Sequence, residues 1–418
     1  MKKILPFTKK QIEEIIEKYP TPFYLYDEKG LRETAKNLYK AFSWSPGFKN
    51  FEAIKTNPNP YILKILKDVG MGADASSLTE LILAEKVGFK GEEIMFSSNN
   101  TPYQEYQKAS ELGAIINLDD ITHIEYVEKH LGKLPDLMSF RYNPGPRRTG
   151  NAIIGDPKEA KYGLTYEQIF EAYKIVKQKG VKRFGLHTMV VSNELDEKAH
   201  IETARMMFEL ATSISKEIEI EFEFINLGGG YGIAHKPTDV SIDIERVSKE
   251  IKVLYDTNFS SGWKPVICME LGRFIVGSNG YLITKVRHFK HTYKEYAGLD
   301  ACMADFMRPA LYGAYHYITI MNKENESLSN TYDVVGSLCE NNDKFAIDRK
   351  LPRLDIGDIA VIQEVGGHGR AMGFNYNGKL RPAEFLMRED GSIKLIRRAE
   401  TVDDYFATLN FSGLVDFK

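Results

Sequence analysis

The chain has 418 residues, which exceeds the size at which a single hydrophobic core usually stops growing, so we expect two domains. Hydrophobic residues make up 43% and charged residues 27%, and 55 basic against 58 acidic side chains leave a net charge of −3. With a net charge so close to zero, the chain lacks the excess of basic residues that is typical of proteins that bind nucleic acid or an anionic membrane.

Targeting signals and cysteine clusters are not visible in the sequence. No apolar run approaches the roughly 18 residues of a membrane span, and the lysines near the start are not followed by the apolar stretch of a signal peptide. The cysteines at 268, 302 and 339 are too scattered for a disulfide framework or a zinc site, and we expect no metal. A cytoplasmic location is the simplest expectation.

Strand and helix patterns alternate through the first two thirds of the chain. The predicted strands are 22–26, 51–55, 94–96, 114–117, 136–142, 183–189, 222–227 and 266–270. The predicted helices are 11–18, 31–42, 60–69, 77–87, 102–112, 121–130, 166–178, 198–215 and 242–255. Such alternation is typical of parallel βαβ units and fits a (β/α)₈ TIM barrel, with a doubly wound open sheet as the alternative that periodicity does not exclude.

Beyond residue 275 the pattern changes to short strands separated by turns, predicted at 280–286, 332–335, 358–362 and 392–396. We therefore predict an α/β fold with a barrel domain at 30–275. A second, mostly β domain would combine residues 1–29 with residues 276–418.

Three groups lie where predicted barrel strands end, which is where barrels of this kind carry function. Lys55 closes an apolar strand, and partial desolvation there would favour the neutral amine that Schiff-base chemistry needs; a lysine that snorkels to the surface is the simpler alternative. The triple glycine 228–230 suits a phosphate-binding nest but is equally a flexible turn. Glu270 could pair with a protonated ring nitrogen and Arg273 with a carboxylate, or the two could form an ion pair.

Taken in order, these segments resemble the fold-type III pyridoxal-phosphate (PLP) decarboxylases, and among them the diaminopimelate decarboxylases. The segments that carry the resemblance are 21–27, 53–57, 72–80, 161–164, 185–187, 228–230, 270–273, 308–312, 339–340, 376–377 and 381–384. The resemblance implies a PLP-binding barrel and decarboxylation of meso-diaminopimelate to L-lysine and CO₂. It also implies a homodimer, in which Cys339 and Glu340 reach into the neighbouring subunit's site.

The same resemblance assigns roles to individual residues. Lys55 would hold the cofactor, Glu270 would keep its ring nitrogen protonated, and Cys339 would supply the proton after CO₂ leaves. The implied cofactor-binding set is Lys55, Asp74, His187, Met189, Ser192, Gly228, Gly229, Gly230, Glu270 and His368. The implied substrate-binding set is Arg273, Arg308, Tyr312, Glu340 and His368.

The sequence departs from the family pattern at several of these positions. Met189 stands where the family has a histidine that stacks on the cofactor ring; a thioether packs against a ring but lacks the polarity of an imidazole. His368 replaces a tyrosine, Asn341 a serine and Leu271 a proline. These changes affect the expected substrate or rate more than they affect cofactor binding.

Two alternatives therefore stay open. The chain could decarboxylate another amino acid, namely ornithine, lysine, a carboxypolyamine or a carrier-bound substrate, or it could bind PLP without catalysis. Arg273 with Arg308 favours a substrate that has a distal carboxylate, because two cations would repel a plain diamine. An activity like that of alanine racemase is disfavoured, since no tyrosine is clearly placed as an acid on the opposite face.

Overall fold

The computed structural model describes residues 3–148, 155–260 and 262–414. The chain forms two compact units, which we call the barrel unit (residues 28–234 and 238–279) and the β unit (residues 1–27, 235–237 and 280–418). The outermost residues of the predicted β domain, 1–2 and 415–418, lie outside the described residues. Within the described ranges, no helix combines the length and apolarity needed to cross a membrane.

The chain opens with helix α1 (Lys9–Ile16) and strand β1 (Phe23–Asp27), both in the β unit. The barrel unit then alternates helices and strands. In chain order these are α2 (Glu28–Ala41), β2 (Lys49–Ala53), α3 (Pro60–Asp68), β3 (Gly72–Ala75), α4 (Leu78–Val87), β4 (Ile94–Ser97), α5 (Tyr103–Glu111), β5 (Ile115–Leu118), α6 (His123–Leu131), β6 (Leu137–Tyr142), α7 (Tyr166–Gln178), β7 (Arg183–Thr188), α8 (Glu197–Ile218), β8 (Phe222–Asn226), α9 (Ile244–Asn258), β9 (Val266–Met269) and α10 (Gly272–Val276).

Strands β2 to β9 are all parallel and close into a barrel, because β9 also pairs with β2. This closed barrel confirms the (β/α)₈ prediction and excludes the doubly wound open sheet. An apolar layer fills part of its interior, formed by Phe51, Met95, Ile115, Leu137, Phe224 and Cys268. Two of these rings need glycines on the adjacent strands, since a Cβ at Gly72 would overlap Phe51 and one at Gly185 would overlap Phe224.

The β unit is built around a nine-stranded sheet that also takes in β1. Its remaining elements are β10 (Gly280–His291), β11 (Glu295–Leu299), α11 (Arg308–Tyr312), β12 (Ile318–Ile320), β13 (Asn330–Val335), β14 (Lys344–Leu351), β15 (Ile359–Ile362), β16 (Ala383–Met387), β17 (Ile393–Arg397) and α12 (Val402–Phe406). Strand β1 lies between β10 and β16, and α1 packs Ile12 and Ile15 into the apolar core on this part of the sheet. The second domain is therefore mostly β, as predicted.

Candidate active site at the carboxyl ends of the barrel strands

Beyond the apolar layer, the barrel interior becomes polar toward the carboxyl ends of its strands. Strand register aligns Ser97, Asn117 and Ser139 on β4, β5 and β6, and all three are buried. The register likewise aligns Arg141, His187 and Asn226 on β6, β7 and β8. Because buried polar groups are costly without partners, a layer of them at this end marks a site rather than a core.

Glu270 is the centre of this layer. It follows β9, its side chain is 8% exposed, and its Oε1 lies 2.9 Å from Nε2 of His187. Asn226 donates a hydrogen bond from Nδ2 to the same oxygen at 2.8 Å. The structure thus brings together His187 and Glu270, two residues predicted from sequence, and adds Asn226, which the sequence analysis missed.

Asp74 on β3 is the second buried carboxyl in the layer, and the two carboxyls influence each other. Burial and the charge of Glu270 raise the pKa of Asp74 well above its ordinary value, although Lys55 opposes this. Burial also acts against ionisation of Glu270, but the close contact with His187, then Lys55 and Arg141 outweigh burial and hold the pKa of Glu270 below its ordinary value. We conclude that the proton of this pair lies on Asp74 and the negative charge on Glu270.

The glycine turn that follows β8 lies beside this charge. The backbone N–H of Gly228 donates to Oδ1 of Asn226 at 2.8 Å, and the carbonyl of Gly228 accepts from the N–H of Glu270 at 2.9 Å. Side chains are excluded here, because a Cβ on Gly228, Gly229 or Gly230 would meet a backbone carbonyl oxygen, of Thr188, Glu270 or Val191 respectively. The turn is therefore a fixed backbone cradle, which is what a phosphate group requires.

Met189 is half-buried just after β7, and its Sδ lies 3.3 Å from the backbone nitrogen of Gly229. The thioether thus contacts the glycine turn. Ser192 is half-buried in the loop that follows.

Lys55 does not close its strand as expected from the sequence. Strand β2 ends at Ala53, and Lys55 is the central residue of a short 3-10 turn (Ile54–Thr56) that presents its side chain to solvent. The predicted desolvation of Lys55 is therefore wrong for the chain as described. Its charge nevertheless acts on both Asp74 and Glu270, which places the amine near the polar layer.

An ion pair that the sequence analysis missed completes the layer. Arg141, which is 8% exposed, lies with its Nε 3.2 Å from Oδ1 of Asp119, a residue that directly follows β5. Asn99 donates to the other oxygen of Asp119 at 3.1 Å. Arg141 looked like a routine strand residue in sequence, and only the pairing of β5 with β6 gives it a buried anionic partner.

Glu52 on β2 is a buried carboxyl next to this layer. Neither of its oxygens has a hydrogen-bond partner within the described residues, and burial and then Asp74 raise its pKa well above the ordinary value. The stability that the protonated form gives is fully present below the unfolded-state pKa and is lost as pH rises toward the folded-state pKa.

We expect Glu52→Gln, which mimics the protonated acid, to raise Tm by about 2–4 °C at pH 7 to 8, with the gain shrinking toward pH 4. Differential scanning calorimetry across this range measures it. Glu111→Gln on the exposed end of α5 is the matched control and should show no such trend. A gain for Glu52→Gln that is equal at all pH values would contradict the assignment.

Arg273 lies in α10, after Glu270, and is half-buried. The remaining predicted site residues belong to the β unit. Arg308 begins α11 and is 2% exposed, whereas Tyr312 at the end of α11 is exposed. Burial lowers the pKa of Arg308 to about 10, with Tyr312 opposing this shift, so the guanidinium is charged at neutral pH.

Cys339 and Glu340 lie in a turn between β13 and β14. Hydrogen bonds to the side chain of Asp343 stabilise this turn. The buried carboxylate of Asp343 accepts from the backbone nitrogens of Leu338 at 2.8 Å and Met303 at 2.6 Å. The backbone nitrogen of Cys339 donates to Oδ1 of Asn377 at 3.0 Å, and its thiol is exposed. Glu340 is half-buried. The turn thus presents a thiol outward on a rigid backbone.

His368 is half-buried in the loop after β15, with φ at +56°. A left-handed backbone is uncommon for a residue other than glycine and is often found at functional sites.

The residues of the barrel unit fit pyridoxal phosphate. An ionised carboxylate held by His187 and Asn226 suits a protonated ring nitrogen, and the glycine cradle suits a phosphate. An exposed amine on Lys55 suits attachment to the cofactor's aldehyde carbon. Asp74 adds a buried oxygen, Oδ1, that has no hydrogen-bond partner among the described residues.

Comparison with known proteins agrees with this geometry. The pyridoxal-binding domain model of the pyridoxal-dependent decarboxylases matches residues 29–277. Protein TabA of Pseudomonas amygdali pv. tabaci is 40% identical over 394 residues, which cover 94% of this chain and 92% of that protein. The diaminopimelate decarboxylase of Methanothermobacter thermautotrophicus is 34% identical over 396 residues, covering 94% of this chain and 92% of that one.

Among solved structures, the diaminopimelate decarboxylase of M. jannaschii in complex with L-lysine superposes with a TM-score of 0.88 at 30% identity. The match covers 95% of this chain and 94% of that chain. The similarity therefore extends over both units.

Proposed function

Because the chain belongs to the pyridoxal-dependent decarboxylases, we propose that it converts meso-diaminopimelate to L-lysine and CO₂. Relatives named for this reaction match nearly the whole chain, and one solved relative binds L-lysine. The observation that carries the proposal is the buried, ionised Glu270, held by His187 at the carboxyl end of the barrel. It supports a decarboxylase that uses a protonated ring nitrogen as an electron-withdrawing group.

Each residue of the proposed site would have a separate role. Pyridoxal phosphate, when bound, supplies the electron sink that takes up the electron pair left when CO₂ departs. Lys55 would hold the cofactor through its amine, and Glu270 would hold the proton at the ring nitrogen. The backbone of Gly228–Gly230 would bind the phosphate, and Asp74, already protonated, would not compete with Glu270 for positive charge.

The substrate has two amino-acid ends, only one of which reacts. Arg308, with Arg273 and Tyr312, would bind the carboxylate of the distal end, and Glu340 would bind its ammonium group. The Cys339 thiol would give its proton to the α-carbon from which CO₂ has left, so that L-lysine is released with its distal carboxylate intact. His368 and Ser192 would complete the contacts to substrate and cofactor.

The direct test is to incubate the purified protein with added PLP and meso-diaminopimelate and to measure CO₂ and lysine. D,D- and L,L-diaminopimelate, ornithine and lysine serve as comparison substrates. We expect lysine from the meso isomer alone. CO₂ from another substrate instead would show that Met189 and His368 mark a different substrate class.

We further propose that the chain works as a homodimer with shared active sites. The segment 401–414 is exposed throughout and presents six large apolar side chains: Val402, Tyr405, Phe406, Leu409, Phe411 and Leu414. Such a patch is more than an isolated monomer usually exposes, which supports an interface.

The contacts next to residues 401–414, which we call the apolar tail, favour a second copy of the chain as the partner that covers this tail. Glu400, just before the tail, accepts from Nδ2 of Asn375 at 2.7 Å and from the backbone nitrogen of Arg381 at 2.9 Å. Two residues after Asn375, Asn377 binds the Cys339 turn. The tail is thus continuous with the turn whose thiol would enter a neighbour's site, and a two-fold interface would then complete both sites equally.

Mixing two inactive variants tests this arrangement. Lys55→Ala and Cys339→Ala, unfolded and refolded together, should regain roughly a quarter of wild-type activity, since half the dimers are mixed and each mixed dimer has one intact site. Adding Phe406→Ser and Phe411→Ser to both chains should abolish the gain and yield monomers by light scattering. Tyr293→Ser, at another exposed aromatic residue, is the control. No regain from the mixture would mean that sites are not shared.

A further inference from the structure

Arg308 is buried, and its guanidinium contacts a histidine. Its Nη1 lies 3.2 Å from Nε2 of His316, a residue with no exposed surface. The other ring nitrogen of His316, Nδ1, lies 2.9 Å from the carbonyl oxygen of Gln363. His316 therefore connects the predicted substrate-binding arginine to the backbone at the end of β15.

These two contacts determine which nitrogen of His316 carries the proton. A carbonyl oxygen only accepts, so Nδ1 must be the N–H group. A guanidinium only donates, so Nε2 must offer its lone pair. His316 is therefore the neutral Nδ1–H tautomer, because a proton on Nε2 would face the N–H group of Arg308.

The surroundings of His316 are rigid. The Gln363 backbone nitrogen donates to the Tyr317 carbonyl at 2.9 Å, and Arg349 donates to the His316 carbonyl at 2.8 Å. The rings of Phe306 and His235 pack against the imidazole, each with its centroid 4.6 Å away. A ring whose backbone is hydrogen-bonded and that packs against two other rings gives its acceptor atom one direction only.

We propose that His316 is a positioning residue, which aims the guanidinium of Arg308 at the distal carboxylate of the substrate. This inference rests on the proposed function, because that function gives Arg308 its ligand. A buried arginine has several rotamers of similar energy, and an acceptor fixed on one side selects among them. Specificity for a substrate with a distal carboxylate would thus depend on the tautomer of a side chain that never touches the substrate.

A metal ion is the alternative occupant of this region, since His235, His316 and Glu364 are buried and offer ligand atoms within 4.8 Å of one another. Two cationic side chains next to these ligand atoms would repel a metal ion. Arg308 faces Nε2 of His316, and Nζ of Lys3 lies 2.6 Å from Oε1 of Glu364. Both ring nitrogens of His316 are already engaged, so a metal would have to displace Arg308.

Two substitutions separate the roles of the two ring nitrogens. In His316→Asn the amide replaces Nδ1 and keeps the contact with Gln363, but it does not reach Arg308. In His316→Gln the longer side chain returns an acceptor near the position of Nε2. We expect His316→Asn to raise KM for meso-diaminopimelate about tenfold with kcat changed less than about threefold, and His316→Gln to restore most of the loss.

Binding of the product gives a readout independent of turnover. By calorimetry, His316→Asn should weaken L-lysine about tenfold and leave cadaverine, which has no carboxylate, unchanged. Combined with Arg308→Gln, the substitution should cost nothing further, because both act on one interaction. Added ZnCl₂ or EDTA should leave these affinities unchanged; a metal requirement would overturn the proposal.

The outcomes distinguish failure of the proposed function from failure of the positioning role of His316. If the wild type neither binds L-lysine nor decarboxylates meso-diaminopimelate, the proposed function fails. If it does both and His316→Asn binds L-lysine as tightly as the wild type, the positioning role fails. Should His316→Asn not fold, ¹⁵N chemical shifts of labelled histidines, with His316→Gln for assignment, still report the tautomer; a proton on Nε2 would refute the inference.

Discussion

Replacing Lys55 by alanine is expected to lower kcat/KM by at least about a thousandfold and to remove the cofactor's visible absorbance from the purified protein. Lys55 is the proposed attachment point of the cofactor, and its charge acts on both carboxyls of the polar layer, so its loss would remove the covalent link and not merely a contact. Steady-state kinetics and absorption spectra measure the two effects.

The chemistry of the attachment can be read directly as well. Borohydride reduction followed by peptide mass mapping should place the cofactor on Lys55 in the wild type. Lys64→Ala on α3 is a matched control, since Lys64 is an exposed lysine nearby that pairs only with Asp68 among the described ion pairs. Activity retained in Lys55→Ala, or label found on another lysine, would refute the assigned role.

Glu270→Gln is expected to lower kcat by roughly a hundredfold, the size usual for loss of a preorganised charged group. The amide keeps the shape of the side chain but cannot hold a proton at a ring nitrogen. Since His187 keeps the pKa of Glu270 below its ordinary value, the wild-type carboxylate is charged throughout the neutral range. Single-turnover kinetics separates this loss from any change in substrate binding.

Asp74→Asn is the matched comparison, because Asp74 is a buried carboxyl of the same layer but is protonated. An asparagine resembles the protonated acid, so we expect a cost below about tenfold. Equal losses in the two variants would contradict the assignment of the proton to Asp74.

Local signals were sufficient for most of the barrel elements. Helix α7 begins and ends where predicted, and a capping box formed by Thr165 and Gln168 explains its start. Strands β3, β11, β12, β14 and β16 were not among the predicted strands. Strand β14 carries three consecutive charged residues, Asp348 to Lys350, and β16 directly follows Pro382, which disfavours a strand assignment.

The site could be predicted only where its residues stand out along the chain. Gly228–Gly230 and Glu270 do so, because glycine repeats and acids at strand ends are unusual in themselves. Arg141 and Asp119 do not, since their pairing depends on two strands becoming neighbours. The sequence pattern predicted Lys55 as the last residue of a strand, whereas β2 ends at Ala53 and Lys55 lies exposed in the 3-10 turn that follows.

The sheet position of β1 has a consequence for the order in which the protein can fold. This strand is made first, yet it lies between β10 and β16, with Phe23 opposite both Ile283 and Ala383. Every barrel strand has been synthesised by Met269, so the barrel can close before β10 and β16, the neighbours of β1 in the sheet, have been synthesised. During that interval Phe23 and Leu25, buried in the finished sheet, are exposed on a nascent chain, which makes this segment the place where a chaperone is most useful.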